Sequence, residues 1–259
     1  MPVVVMGWIS LVLVIDADGT LSTQRLLGAA TWLLLLVVCA RETPLVRAAV
    51  VVVVVFATLV EYTFSPLLEV YVYRFDNVPA YVPPVTASST SRRSPSAVRR
   101  GFGHTCAAAL AAAASVGAAW ASWGLFGSDR VDVLGAFWFA CLLGFLLWGP
   151  NRGLYVGAFV VVSYLELLGT ALGNWEWQRH DPTGLIPIGN PPSGAAGGYG
   201  WFDLAAVLLA PVLLALIARG RSVVAPRRPT GSCPAAGWEE ADGADTSGPS
   251  TSSQPGRSR

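Results

Sequence analysis

Long apolar stretches follow one another along this chain, and they constrain its fold more than any other feature. A helix needs about 20 mostly apolar residues to cross the hydrocarbon core of a membrane. Such stretches occupy residues 26–40, 45–64, 104–126, 132–149, 152–173 and 202–218, and a shorter one covers residues 3–15. The sequence therefore predicts an all-α, polytopic membrane helix bundle with seven spans as written.

The composition supports a lipid environment and excludes several other partners. Of the 259 residues, 53% are hydrophobic and only 13% are charged, whereas a soluble domain carries roughly 25% charged residues. The expected partner is the lipid bilayer. A net charge of +1 gives no case for nucleic acid, and the four scattered cysteines form no metal spacing, so neither a metal nor a cofactor is predicted. Residues 220–259 are rich in Pro, Gly, Ser and Thr and predict a disordered cytoplasmic tail.

Arginine positions predict the orientation of the bundle. Short loops rich in basic residues face the cytoplasm, and Arg41, Arg47, Arg152 and Arg219 mark such loops. This places the protein in the plasma membrane with both termini cytoplasmic. The assignment requires one more crossing between residues 84 and 103, where the chain instead has the polar sequence PPVTASSTSRRSPSAVRRGFG.

Two parts of the chain repeat the same order of residues. Glu61 and Glu166 lie 105 positions apart, and Ser65 and Thr170 each follow four residues after their glutamate. Next comes an aromatic pair in each part, and then a proline-rich loop, VPAYVPP or IPIGNPP. The four residues of these aromatic pairs are Tyr71, Tyr73, Trp175 and Trp177. This order predicts an internal duplication, with residues 1–103 and 104–219 as the two membrane repeats.

The polar segment interrupts the first repeat where the second enters its last helix. One choice of synonymous codons for residues 85–100, read one nucleotide earlier, encodes GHGLVYLAALAVGRSP. This sequence matches GYGWFDLAAVLL of the second repeat at both glycines, the leucine and two alanines. We therefore infer that residues 85–100 are out of frame, and a corrected chain has eight spans in two parallel four-helix repeats. The alternative is a genuine flexible loop, and the DNA sequence distinguishes the two.

Three acidic residues are candidate catalytic groups. Glu61 and Glu166 stand near the outer ends of their helices, each after 13 residues without charge. Charged groups in membrane helices are costly, so they indicate function by default, and a carboxyl group placed there can serve as a general acid. The alternative is a structural glutamate bonded to Ser65 or Thr170, or paired with an arginine. Asp203 is either a third acid of the same cavity or a helix-start residue favoured by the macrodipole.

Several aromatic and loop residues are candidate substrate contacts. They gather at the outer interface, where aromatic belts are common, but they can also form a wall that holds a cationic intermediate by cation–π attraction. The segment GNPPSGAAGGYG predicts an irregular re-entrant loop next to them. The candidates are Tyr71, Tyr73, Trp175, Trp177, Asn190 and Trp201.

The stretches EYTFSPLLEVYVYRFDNVPAYVPP and ELLGTALGNWEWQRHDPTGLIPIGNPPSG resemble those of uncharacterised actinobacterial multi-pass membrane proteins. Their order of glutamate, aromatic-x-aromatic and Pro-containing loop is also similar to the carotenoid-biosynthesis membrane family that includes carotenoid hydratases. In that comparison Glu69 occupies a position where a glycine is expected. A membrane-bound terpene cyclase comparison matches Glu61 and Asp203 by placement.

These resemblances imply chemistry on an apolar isoprenoid substrate. A buried carboxylic acid would protonate a C=C bond, and the resulting cation would be captured by water or by ring closure. The competing class is a non-enzymatic membrane protein. It includes a proton-coupled transporter, in which the paired glutamates bind protons, and a structural component.

Overall fold

Helices make up most of the described chain, which comprises residues 2–90, 104–150 and 152–224 of this computed structural model. The described part contains eight α-helices, one π-helical turn and two short strands. The helices are α1 (Pro2–Asp18), α2 (Leu21–Ala40), α3 (Pro44–Tyr62), α4 (Val82–Thr90), α5 (His104–Phe126), α6 (Val133–Trp148), α7 (Arg152–Ala171) and α8 (Ala195–Val224). The π-helical turn covers Thr63–Leu67, and the strands are β1 (Tyr71–Tyr73) and β2 (Trp175–Trp177).

Five helical segments are long and apolar enough to cross a membrane. They are Leu21–Ala40, Pro44–Leu67, Ala107–Phe126, Arg152–Ala171 and Ala195–Gly220. An all-α bundle of membrane-crossing helices is therefore the architecture. Two predicted spans correspond to shorter helices, since α1 has 17 residues and α6 has 16. The count of seven spans stays a prediction.

Local signals in the sequence start the helices where they begin. Thr20 caps α2 by accepting a hydrogen bond from the Thr23 amide, and Thr43 caps α3 with Pro44 directly after it. Asp132 caps α6 in the same way, through the Gly135 amide. Each side-chain oxygen satisfies an amide that has no partner within its own helix.

The chain leaves α3 and α7 by two different devices that lead to equivalent strands. Pro66 lies in the π-helical turn and lacks the amide proton that a continuing helix requires. After α7, Gly173 adopts a φ of +72°, which turns the chain toward β2. The strands β1 and β2 then pair antiparallel, with Tyr71 opposite Trp177 and Tyr73 opposite Trp175. This pairing joins the two halves of the sequence.

Helix α8 packs against α3, α6 and α7. It begins at Ala195, earlier than the predicted start at residue 202, so part of the predicted re-entrant loop is helical. The close packing of this helix depends on its glycines. A Cβ atom on Gly197 would lie 1.8 Å from the Trp138 carbonyl oxygen, so only glycine permits the close approach of α8 to α6. Within the predicted re-entrant loop, the irregular backbone is confined to the residues before Ala195.

The polar segment and the tail also differ from the sequence-based expectation at their edges. Residues 82–90 form α4, which buries Val82, Val85 and Ala87 in place of an exposed loop. The remainder of the suspected frameshift, residues 91–100, lies outside the described residues. At the other end, α8 continues past Gly220 to Val224, and residues 225–259 of the predicted tail lie outside the described residues.

Candidate functional site

An apolar cavity of about 270 Å³ lies where α1, α3, α4, α6, α7 and α8 meet the two strands. Glu61 and Glu166 both line it, and they are its charged side chains among the described residues. About half of the lining residues are aromatic, which distinguishes this space from an aliphatic helix core. These aromatic residues are Phe56, Phe64, Tyr71, Tyr73, Tyr81, Trp138, Trp175, Trp177, Tyr199, Trp201 and Phe202.

Glu61 is held by the two tyrosines of β1. The Tyr71 hydroxyl donates to Oε2 of Glu61 at 2.8 Å, and the Tyr73 hydroxyl donates to the same oxygen at 2.7 Å. Residues two apart on a strand point to the same face, so β1 presents both hydroxyls to the end of α3. The aromatic-x-aromatic spacing therefore provides two donors for one carboxyl oxygen.

Glu166 is held in the same way by the two tryptophans of β2. The indole Nε1 atoms of Trp175 and Trp177 each donate to Oε2 of Glu166 at 3.0 Å. The rings of the two pairs also contact each other across the sheet, with 4.6 Å between the centroids of Tyr71 and Trp177. One two-stranded sheet therefore positions both carboxyl groups.

The two oxygens of each carboxyl group differ in their hydrogen bonds. Both donors of each pair bind Oε2, and Oε1 of Glu61 and of Glu166 accepts no hydrogen bond within the described part of the chain. Neither Oε1 atom is among the buried polar atoms that lack a hydrogen-bond partner. Both glutamates line the cavity, so an occupant of the cavity lies next to these two carboxyl groups.

The structure brings together most of the residues predicted from the sequence, although not all. Both glutamates, the four strand aromatics and Trp201 line the cavity. Asp203 is buried beside Tyr155 and is not among the lining residues, although its neighbour Phe202 is. Asn190 is also outside the lining, and its side-chain oxygen accepts a hydrogen bond from the Trp177 amide at 3.2 Å. Asn190 therefore supports β2 and does not face the cavity.

The structure also bears on the alternative roles of the glutamates and the aromatic residues. Thr170 does not bond to the Glu166 carboxyl group, because its hydroxyl donates to the Glu166 backbone oxygen at 2.6 Å. Tyr71, Tyr73 and Trp175 are buried, whereas a membrane-interface belt would expose them to lipid headgroups. Trp201 is 46% exposed and is the most exposed of the predicted aromatic residues.

Burial affects the ionisation of the strand tyrosines. Loss of solvent raises the pKa of Tyr71 and of Tyr73 well above the ordinary value, and the nearby Glu61 charge raises both further. Both hydroxyls therefore keep their protons at neutral pH. They can therefore donate to Oε2 of Glu61 at neutral pH.

The loop after β2 is held by two residues that were not predicted from the sequence. Asp132 accepts amide protons from Gly189 at 2.8 Å and Ser193 at 2.7 Å, while Arg130 donates to the backbone oxygens of Trp177, Gln178 and Ile188. Asp132 is 2% exposed. A capping position before an apolar run was visible in the sequence, but its contacts with a loop 57 residues away were not.

A second missed group centres on Asp16, which is fully buried at the end of α1. The Tyr81 hydroxyl donates to its Oδ2 at 2.7 Å, and Tyr81 also lines the cavity. Asp16 follows the apolar residues 3–15. An acid after a charge-free stretch is the signal that singled out Glu61 and Glu166, and it applies equally to Asp16.

Within the described ranges, no group of His, Cys, Asp and Glu side chains suits a metal ion. No family model, curated protein or solved structure matches this chain. The function of the cavity has to be inferred from its own geometry.

Proposed function

We propose that this multi-pass membrane protein is an enzyme that protonates a C=C bond of an apolar isoprenoid in the cavity. The cation would then add water, or would close a ring to give a second cation that adds water or loses a proton from a neighbouring carbon, and the proton released at the end would return to the carboxylate that supplied the first one. The observation that carries the proposal is the pair of carboxyl groups at one aromatic cavity, each bound through a single oxygen by two aromatic donors.

The donor geometry suits a carboxylic acid. When a carboxyl group is protonated, one oxygen is a carbonyl-type acceptor and the other carries the proton. The two tyrosine hydroxyls on Oε2 of Glu61 fit the acceptor role, so the proton would reside on Oε1. On this proposal the proton on Oε1 would be offered to an occupant of the cavity that Glu61 lines, which is the arrangement a general acid needs.

The two carboxyl groups are not chemically equivalent, and this suggests different roles. A tyrosine hydroxyl both donates and accepts hydrogen bonds, whereas an indole N–H only donates. Glu61 is therefore connected to groups that can exchange protons, and we assign it the role of proton donor. Glu166 is held by two fixed donors, and we assign it the role of stabilising a positive charge.

The rest of the cavity suits an apolar substrate that becomes cationic. Aromatic faces attract cations, most strongly when the site excludes water, and aromatic rings surround both glutamates. The volume of about 270 Å³ is near the lower limit of roughly 300–1,000 Å³ for small-molecule sites. Such a space would accept the end of a long isoprenoid chain.

We further propose that the halves of the chain are repeats of one unit that meet at the cavity. Each half has three helices, a short strand and a further helix in the same order. Each also has a glutamate followed by two aromatic donors. Sites at the interface of parallel repeats are a known plan for membrane proteins.

A proton-coupled transporter is the second candidate, because it also uses paired acids inside a bundle. Glu61 and Glu166 line the same cavity, as two linked proton-binding groups would. A transporter would move a solute without altering its covalent structure. Product analysis therefore distinguishes the two functions.

Deuterium labelling tests the enzyme. Membranes containing the protein would be incubated with squalene or an acyclic carotene in D₂O, and products would be examined by mass spectrometry. We expect a product with a new C–D bond, lost in Glu61→Gln and reduced in Glu166→Gln. Glu176→Gln is the matched control, because Glu176 lies on the exposed face of β2 between the two tryptophans.

Two outcomes would contradict the proposal. One is a Glu61→Gln variant that forms the deuterated product at the wild-type rate. The other is an unaltered isoprenoid profile, with a proton flux in sealed vesicles that depends on both glutamates, which would favour the transporter.

A further inference from the structure

A buried polar cluster lies beside the cavity, outside the site described above. Asp16 is its centre, and its Oδ2 accepts hydrogen bonds from Tyr81, Asn174 and Gln24 at 2.7, 3.1 and 3.3 Å. Asp16 and Asn174 are both completely buried. The cluster joins the end of α1 to the loops that follow β1 and α7, so it is assembled from distant parts of the chain.

Four buried polar atoms of this cluster have no hydrogen-bond partner in the described part of the chain. Three are acceptors and one is a donor: Asp16 Oδ1, Asn77 Oδ1, Asn174 Oδ1 and Arg74 Nε. A buried polar atom without a partner is costly, and native proteins satisfy almost all of them with protein groups or ordered water. Four in one cluster indicate that a small polar ligand belongs there.

The distance between Arg74 and Asp16 indicates what that ligand is. The Nη2 atom of Arg74 lies 3.9 Å from Oδ1 of Asp16, which is too far for a direct hydrogen bond. The same guanidinium is fixed by donating to the backbone oxygens of Asp16 and Gly19. Polar atoms held at such a separation are commonly bridged by water.

We infer that Asp16, Arg74, Asn77 and Asn174 form a site for ordered water. A buried water makes about three hydrogen bonds, and the unpartnered atoms supply acceptors for its protons and a donor for its oxygen. A metal cation is disfavoured, because the Arg74 guanidinium already balances the Asp16 charge. The site requires polar groups that accept and donate, which water satisfies.

Tyr81 connects this water site with the cavity. Its ring lines the cavity, and its hydroxyl donates to Asp16 at 2.7 Å. The ring is 2% exposed, so bulk water does not reach it from the protein surface. Under the proposed function, the site would hold water beside the cavity that Tyr81 lines. That use rests on the enzyme proposal, while the existence of the water site does not.

Radiolytic labelling in H₂¹⁸O tests the site directly. Hydroxyl radicals formed from bound water modify the side chains next to it, and mass spectrometry locates the modification. We expect Tyr81 to be labelled severalfold faster than Phe159, a buried aromatic residue that does not line the cavity. Equal, slow labelling of Tyr81 and Phe159 in the wild-type protein would overturn the inference.

A variant pair provides a second measurement. Asn77→Leu replaces one unpartnered acceptor by an apolar side chain of similar size, and labelling of Tyr81 should fall severalfold. Gln178→Leu also replaces a side-chain amide by leucine, at an exposed position outside the cluster, and should leave Tyr81 labelling unchanged. Labelling of Tyr81 that requires Na⁺ or K⁺ would assign the site to a cation and contradict the inference. The labelling of Tyr81 does not depend on formation of a deuterated product. Failure of the water site can therefore be distinguished from failure of the enzyme proposal.

Discussion

Each carboxyl group of the cavity accepts hydrogen bonds from the strand that follows its own helix. Tyr73 is twelve residues after Glu61, and Trp177 is eleven after Glu166. Such short connections mean that each helix end, its turn and its strand form one local unit. Single substitutions within a unit should therefore alter the position of its carboxyl group and leave the rest of the bundle folded.

Removing one hydroxyl donor should weaken the fold measurably. Tyr73→Phe deletes the 2.7 Å hydrogen bond to Glu61 and keeps the ring. We expect a loss of about 0.5–1.5 kcal/mol in the free energy of unfolding, as for a typical protein hydrogen bond, measured by denaturant titration in detergent. Tyr62→Phe is the control, since Tyr62 is 56% exposed. Equal stability of the two variants would contradict the assigned hydrogen bond.

The turn between the last helix and the strand in each half contains a residue with left-handed backbone. Glu69 adopts a φ of +50°, and Gly173 adopts a φ of +72° at the corresponding point of the second half. A left-handed backbone costs an ordinary residue about 1–2 kcal/mol, whereas glycine adopts it freely. The expectation of a glycine at position 69 therefore agrees with the backbone there.

A glycine at this position should stabilise the protein. Glu69→Gly removes the left-handed strain and loses no packing, because the Glu69 side chain is exposed. We expect a gain of about 1 kcal/mol, the strain relieved less the added freedom of the unfolded chain. Thermal unfolding in detergent measures it. Gly173→Ala should show the opposite sign, and a neutral result for both would refute the strain.

The contact between α6 and α8 depends on the absence of a side chain. Gly197→Ala places a Cβ atom 1.8 Å from the Trp138 carbonyl oxygen, so the two helices must separate. We expect a loss of about 1–3 kcal/mol, typical of overpacking. Gly144→Ala is the matched control in α6, since nothing lies within 4 Å of its new Cβ. This control should gain about 0.5–1 kcal/mol from its better helix propensity.

At the scale of the whole molecule, the orientation in the membrane is the main prediction. The α2–α3 turn contains Arg41, and Arg47 caps the end of α2 by donating to the backbone oxygens of Cys39 and Ala40. The positive-inside rule places this turn in the cytoplasm. The loop that follows β2 then faces outward.

Cysteine accessibility in intact cells measures this orientation. In a background without the four native cysteines, Glu42→Cys should react with a membrane-impermeant thiol reagent only after permeabilisation. Thr183→Cys, in the loop after β2, should react without permeabilisation. The reverse pattern would invert the predicted topology and with it the side on which the cavity lies.

Sequence reasoning located the carboxyl–aromatic units because their signals are local. A carboxyl group after 13 charge-free residues and an alternating aromatic pair are patterns within one segment of chain. The same reasoning gave Asp203 and Asn190 roles at the cavity, which they do not line. Helical phase and loop path decide which side chains face a cavity, and composition alone does not report them.

By itself the sequence determined an apolar helix bundle, the two glutamates and their aromatic companions, since hydropathy and spacing are properties of neighbouring residues. Only the tertiary structure decided that both glutamates share one cavity, because the pairing of β1 with β2 joins segments about a hundred residues apart. It also placed Asn174 on Asp16 across 158 residues. Contacts over such separations depend on how the helices pack, and no local pattern encodes that packing.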